Sequence, residues 1–253
     1  MTIKKALNCA AFCLIYVSFN SIALADIGGV ELGFAAWNHE PGGTVRYQGT
    51  DANAETGFQL TDKTEGFFWF ALEHPVPALP NIKIAFTKLG NNGSGVLSSG
   101  FTFGGTTFNT NENITTTLDL DQTDITLYYN LVNTTARLDL GLTLKYVNGT
   151  ASVLSLTTSQ TEKVNFTGVL PLVYANLEFK MPFTGLSLGV NGNVISYNGH
   201  RFSDVQVKLA YKSKSNLGIE GGYRRIQLRL NDFDGVSSDL NFSGPYIGVY
   251  FSF

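Results

Sequence analysis

Three histidines, His39, His74 and His200, are the side chains of this 253-residue chain best suited to acid–base chemistry, because imidazole titrates near neutrality without any help from its surroundings. A surface hydrolase or lipid-modifying enzyme needs one of them within hydrogen-bond reach of a nucleophile or an activated water. No motif around any of the three supplies such a partner, and the layout derived below sets His74 on the opposite rim from the other two. No catalytic residue is assigned. The stretch "NDFDGVSSD" carries Asp232, Asp234 and Asp239 around Gly235. It distantly echoes a calcium loop, which wants oxygen ligands at alternate positions, but the third alternate acid and the closing Glu are missing. It reads as a solvated Asp-Gly turn, and no metal or cofactor is assigned.

The third set of reactive groups is larger and has a period. In "ARLDLGLTLKY", Leu138, Leu140, Leu142, Leu144 and Tyr146 fall on one phase, and Arg137, Asp139, Thr143 and Lys145 on the other. Alternation with period two is the signature of a strand with unlike faces. It recurs with Val30, Leu32 and Phe34; Phe68, Phe70 and Leu72; Ile82, Ile84 and Phe86; and Val205, Val207, Leu209 and Tyr211 on apolar phases. The opposite phases hold the acids Glu31, Glu73, Asp124, Asp139, Glu178, Asp204 and Glu220, and the bases Lys83, Arg137, Lys145, Lys180, Lys208, Lys212, Arg224 and Arg229. The signs nearly balance, which predicts a network of ion pairs.

Which face is inside depends on the solvent. The alternating segments, at about 29–38, 66–74, 81–89, 117–130, 136–147, 166–180, 186–197, 202–212, 217–230 and 241–253, run near ten residues. A tilted strand crossing a membrane takes about 9–11, whereas the commonest globular strand has roughly 5–6. The connections "PVPALPN", "LVNTT", "KMPFTG" and "KSKSN" are short. The alternate ones are mostly long and rich in Gly, Asn and Thr, as in residues 90–113 and 148–165. Short turns on one side and long loops on the other is the layout of an outer-membrane barrel. A Lys or Arg at the lipid midplane costs about 2–4 kcal/mol, so the charges must face the lumen. The expected fold is all-β, a transmembrane antiparallel up-and-down barrel of about ten strands, with eight or twelve as alternatives. "GTVRYQG" and "TGFQLTD" in the first loop extend strands above the membrane or form an extra hairpin. A soluble periplasmic barrel with a greasy interior is the rival, and it predicts the reverse orientation.

Two segments slip phase. Leu118 and Leu120 are even where Ile125, Leu127 and Tyr129 are odd, and "LGIEGGYRRIQLRL" passes from Leu217, Ile219 and Tyr223 to Ile226, Leu228 and Leu230. Each slip predicts a β-bulge, or a strand that ends where a loop extension begins.

The termini fit export. Residues 1–25 place Lys4 and Lys5 ahead of a short apolar run and close on Ala23-Leu24-Ala25, the plan of a cleaved signal peptide. The barrel domain is then 26–253. Both cysteines, Cys9 and Cys13, fall in the signal, and 15 basic residues remain against 20 acidic. No basic patch suits nucleic acid. At the other end "PYIGVYFSF" must pair with "IGGVELGFAAW", because lipid offers an open sheet edge no hydrogen bonds. Ile247, Val249, Phe251 and Phe253 then face lipid, with Tyr246 and Tyr250 in the lumen.

At "GFFWFALEHPVPALPNIKI", with Glu73, His74, Pro75, Pro77, Pro80 and Asn81, the chain resembles a family of small Gram-negative outer-membrane β-barrel proteins of uncharacterised role. "DIGGVELGFAAWNHE" and "YIGVYFSF" fit the same pattern. The resemblance implies fold and location and brings no catalytic residues. The aromatic end, Tyr250, Phe251 and Phe253, also resembles the signal read by barrel-assembly machinery. The expected partners are therefore outer-membrane lipid and that machinery, around a monomer. The functions left open are a non-enzymatic structural or ligand-binding barrel acting through its long loops, a narrow channel for small polar solutes, and, less well supported, an outer-membrane enzyme. Loop aromatics at Tyr47, Phe58, Phe101, Phe103 and Phe108 either contact ligands or pack over the barrel mouth.

Overall fold

The computed structural model describes residues 28–76, 78–233 and 235–253. The expected signal peptide, Pro77 of the turn motif and Asp234 of the acidic loop lie outside them. The elements in chain order are β1 (Val30–Tyr47), β2 (Ala52–Asn53), β3 (Lys63–Leu72), β4 (Asn81–Thr87), β5 (Gly90–Val96), β6 (Phe101–Phe103), β7 (Thr106–Phe108), β8 (Asn113–Asn133), β9 (Ala136–Ser155), β10 (Thr161–Lys180), β11 (Leu186–Tyr197), β12 (His200–Lys212), β13 (Leu217–Phe233) and β14 (Val236–Ser252). β4 and β5 run end to end against β8, at Thr87↔Gln122 and Gly90↔Asp119, and so make a single stave. The result is a closed barrel of ten antiparallel staves joined up and down.

Closure runs through β1 and β14, paired from Glu31↔Ser252 to Tyr47↔Val236. Val30 and Phe253 exchange backbone hydrogen bonds of 2.7 and 3.0 Å at the seam. Every stave thereby has two neighbours, which leaves no edge to satisfy.

Leu140, Leu142 and Leu144 on β9 point outward and are exposed, Leu142 by 67%, whereas Thr143 between them and Lys145 next to them are wholly buried in the lumen. The other apolar phases read from the sequence also point outward, among them Leu32 and Phe34, Ile125 and Leu127, Val205 to Tyr211, and Ile247 to Phe253. They form a continuous belt. On β9 it covers the nine residues from Leu138 to Tyr146. At about 3.4 Å per residue and a tilt of about 35–45°, nine residues rise roughly 22–25 Å, the height of a barrel's apolar band. The soluble rival, which needs this face inside, fails over the whole belt.

Small residues in the lumen make room for large ones. A β-carbon on Gly33 would lie 2.2 Å from the Trp69 indole, and one on Gly218 would lie 2.2 Å from the Tyr250 ring.

The phase slips have a different origin from bulges. β8 stays in unbroken register with β9 from Ile114↔Ser155 to Asn130↔Asp139, and β13 with β14 from Leu217↔Phe251 to Leu230↔Ser238. The register shifts that exist are at strand ends, Asn130/Val132 and Leu230/Phe233. Leu120 and Ile226 are buried in the interior. The chain keeps its phase while the interior changes from polar to apolar.

"GTVRY" extends β1, one of the two outcomes expected for the first loop, and Thr44 and Val45 pair with β2. The other expected long loops are a second correction. Most of residues 90–113 and 148–165 is strand, in β5, the β6–β7 hairpin, β9 and β10. Inside this upper barrel lies an apolar core that includes Trp37, Phe67, Leu120, Val153, Leu172, Phe202, Ile226, Leu240 and Phe242. Phe58, Phe101, Phe103 and Phe108 close its top through ring contacts of 5.2–5.5 Å, and Tyr47 packs at a tilt against Phe103 at 5.6 Å. These aromatics are packing residues over the mouth. The reading that they form an open contact surface is overturned, since the four phenylalanines are buried.

Candidate functional site

The lumen at belt height holds the groups with chemical potential. They are inward because each sits on a strand whose other phase faces outward as apolar rungs. Near the short-turn end, Glu73 accepts from Tyr128 Oη at 2.9 Å and from the Arg137 guanidinium. Arg137 Nε donates to Asp139 at 2.8 Å, and Asp139 also accepts from Asn130 at 2.7 Å and Asn176 at 2.9 Å. Three strands, β8, β9 and β10, are tied to the first turn here.

A second cluster sits higher, directly beneath the apolar core. Asp204 accepts from Arg224 through two bonds of 2.9 and 2.7 Å. Lys145 donates to Gln122 at 2.7 Å and Asp124 at 2.8 Å, and stands 3.4 Å from Asp204. The Arg224 guanidinium lies over Phe67 at 4.8 Å and Trp37 at 5.0 Å, so it bridges the polar layer to the aromatic one. Each desolvated ion would cost several kcal/mol alone. The pairing and the planar fork of Arg224 on Asp204 offset that cost.

Between the clusters Lys208 pairs with Glu220 at 3.3 Å, Glu31 accepts from Trp69 Nε1 at 2.9 Å, and Lys83 lies 5.9 Å from the centre of the Tyr174 ring. A cavity of about 50 Å³ remains, lined by these residues with Asn191, Asn193 and Gln206. A single water needs about 10–15 Å³ on this measure, so the space suits a few waters.

The remaining residues expected in the network lie elsewhere. Glu178 is half-buried on the inward phase of β10. Lys180 and Lys212 are at the short-turn rim, on Asn133 at 3.0 Å and Ser252 at 3.4 Å. Arg229 is a correction: with no bulge in β13 before it, it keeps the outward phase of Tyr223, is exposed, and pairs with Asp239 at 2.8 Å. Gln227 also donates to Asp239. Of the aromatic end, Tyr250 faces inward, and Phe251 and Phe253 face outward with ring centres 5.3 Å apart.

The histidines are scattered. His74 organises its turn by bonding the Pro80 carbonyl at 3.0 Å and accepting from Val76 N–H at 3.2 Å. His200 accepts from Asn231 N–H beside the β11–β12 turn. His39, just above the belt, is fully buried against Trp37 and Phe242, and neither of its ring nitrogens has a hydrogen-bond partner. Burial pushes its pKa down to about 4. Glu65 and Asp62 act on it through their charges, but neither hydrogen-bonds its ring. Among the described residues no group of three or more His, Cys, Asp or Glu is placed to hold a metal ion.

Sequence reasoning located the lumen charges but missed the neutral groups that complete them, Tyr128, Gln122, Asn130 and Asn176. Their inward phase was the available signal. It also missed two inward tryptophans, Trp37 in the upper barrel and Trp69 at belt height on Glu31.

No family model and no curated protein matches the chain. Among solved structures it is similar to Ail, the attachment invasion locus protein of Yersinia pestis, crystallised with the heparin analogue sucrose octasulfate (10% identity, 90% of this chain and 100% of that one, TM-score 0.43). It is also similar to the transport unit of the autotransporter AIDA-I from Escherichia coli (11%, 95% and 94%, 0.44). A third similar structure is a Pseudomonas aeruginosa FadL homologue (9%, 90% and 90%, 0.38). The barrel assignment rests on the strand pairing described above.

Proposed function

We propose that the chain is a monomeric, non-enzymatic outer-membrane barrel that conducts no ions and serves as a platform for a rigid extracellular half. The observation that carries this reading is the seal across the lumen. The ion-paired layer of Lys145, Asp204 and Arg224 lies directly under Trp37, Phe67, Phe202 and Ile226, all buried. Ten strands stand close to the size at which side chains fill a barrel, well below the 16–18 that leave a channel. The apolar belt supports insertion in lipid. Phe251 and Phe253, outward at the seam, support recognition by assembly machinery. Binding, on this reading, uses the outer wall of the upper barrel, because the loop aromatics are spent on packing.

The test is electrical. Purified protein in planar bilayers is expected to give no steady single-channel current. Steady conductance that a bulky substitution at Asn193 abolishes overturns the sealed-platform reading in favour of a narrow conduit for small polar solutes.

A further inference from the structure

We propose that Arg201 and Arg225, with Arg229 beside them, bind phosphate groups of lipid headgroups at the upper edge of the belt. This rests on the membrane reading above. On β13 the outward phase runs Leu217, Ile219, Gly221, Tyr223 and then Arg225, so Arg225 is the first rung above the apolar surface, where Tyr223 is 52% exposed. It stands opposite Val205, the uppermost apolar rung of β12, and Ser243 of β14. Two rungs higher, Arg201 and Arg229 are direct cross-strand partners.

Like charges placed directly opposite each other on a sheet are destabilising, yet one carboxylate, Asp239, serves all three. Arg229 takes it. Among the described residues neither Arg201 nor Arg225 has a carboxylate within 4 Å, although both are exposed. Their outward neighbours Ser203, Gln227 and Ser243 are neutral. Two unmatched guanidiniums therefore face the layer just outside the hydrocarbon, about 5–8 Å thick on each side. Arginine snorkels along apolar surface, and its planar fork binds phosphate through two parallel hydrogen bonds.

The adjoining face, across β14, has the opposite electrostatics. A groove of about 570 Å³ on the outer wall, lined in part by Tyr223 and Ser243, is rimmed on its far side by Glu40, Glu55 and Asp62. Lys88, outward above Phe86, is already paired with Asp121 at 2.9 Å. Phosphate is therefore drawn to the β12–β13 face.

The experiment uses the whole barrel in mixed micelles of phosphatidic acid and phosphatidylcholine, with retained lipid counted by native mass spectrometry. An arginine near an anionic lipid surface is worth about fivefold in retention. Wild type is expected to prefer phosphatidic acid by about that factor or more, R201Q/R225Q to fall to parity, and K88Q/K163Q, which removes equal charge at Lys88 and at the exposed Lys163 of β10, to behave as wild type. Heat-shifted gel migration verifies that each variant is folded. Equal retention of both lipids by wild type, or equal loss in the two double variants, overturns the inference. Loss of the preference on adding inorganic phosphate at millimolar concentration also overturns it, in favour of a soluble anion site. If the membrane reading is what fails, the wild type does not enter bilayers at all, which is a different outcome from an inserted barrel without lipid preference.

Discussion

The lower and upper halves of this barrel use the same strands with the opposite rule. Below the rung of Tyr146 and Tyr223, leucines and valines face out and ions face in. Above it the outward phase carries Asn148 and Thr150 on β9 and Arg225 and Gln227 on β13, while Val153, Ile226, Phe242 and Leu240 fill the interior. The backbone does not register the change, since β8, β9, β13 and β14 pass through it in continuous pairing. What differs is the solvent outside. Against hydrocarbon, apolar side chains gain nothing by moving inward, so the lumen can be polar. Against water they gain about 25 cal/mol per Å² buried, so the upper barrel is built as a soluble one.

The contrast is broken most severely where the two interiors meet. Asp204 holds Arg224 and approaches Lys145. Asp204→Leu strands those cations in a buried site and should cost about 3–5 kcal/mol, measured by denaturant titration in detergent micelles. Adding Arg224→Met should restore much of the loss, because an apolar pair in that place extends the upper core downward. A double variant as unstable as the single one would show that the ionic layer is irreplaceable.

A smaller effect sits one layer above, at His39. Its folded-state pKa of about 4 lies below the ordinary value of 6.5, so the unfolded chain takes up the proton first. Stability contributed by the neutral ring is complete above about pH 6.5 and is lost as pH falls toward 4, by about 2–3 kcal/mol. His39→Phe should remove that part of the acid sensitivity, read as the difference between the two pH–stability curves. Parallel curves would mean that the ring is solvated and the upper core is open.

The sequence made the lower half readable because hydrocarbon enforces strict alternation. "ARLDLGLTLKY" fixes both faces of β9, and the charges at Arg137, Asp139 and Lys145 fall where their phase puts them. The upper half was misread for a physical reason. Thr, Asn and Gly on an outward face look like loop composition, so the extensions of β8, β9 and β10 passed for loops. Leu120 and Ile226 then looked like displaced outward residues, and Arg229 was carried into the lumen by a bulge that does not exist. Contacts between distant segments, such as Arg224 on Asp204 or Tyr128 on Glu73, were legible only as residues on a shared face.

The most direct test of this inversion is a scan of single cysteines along β9 from 138 to 152, spin-labelled in proteoliposomes, in a background without Cys9 and Cys13. Labels at 140, 142, 144 and 146 should be reached by oxygen dissolved in the bilayer, labels at 148, 150 and 152 by a water-soluble nickel chelate, and labels at 143 and 145 by neither. Oxygen reaching 143 and 145 while 140 and 142 stay shielded would contradict the account.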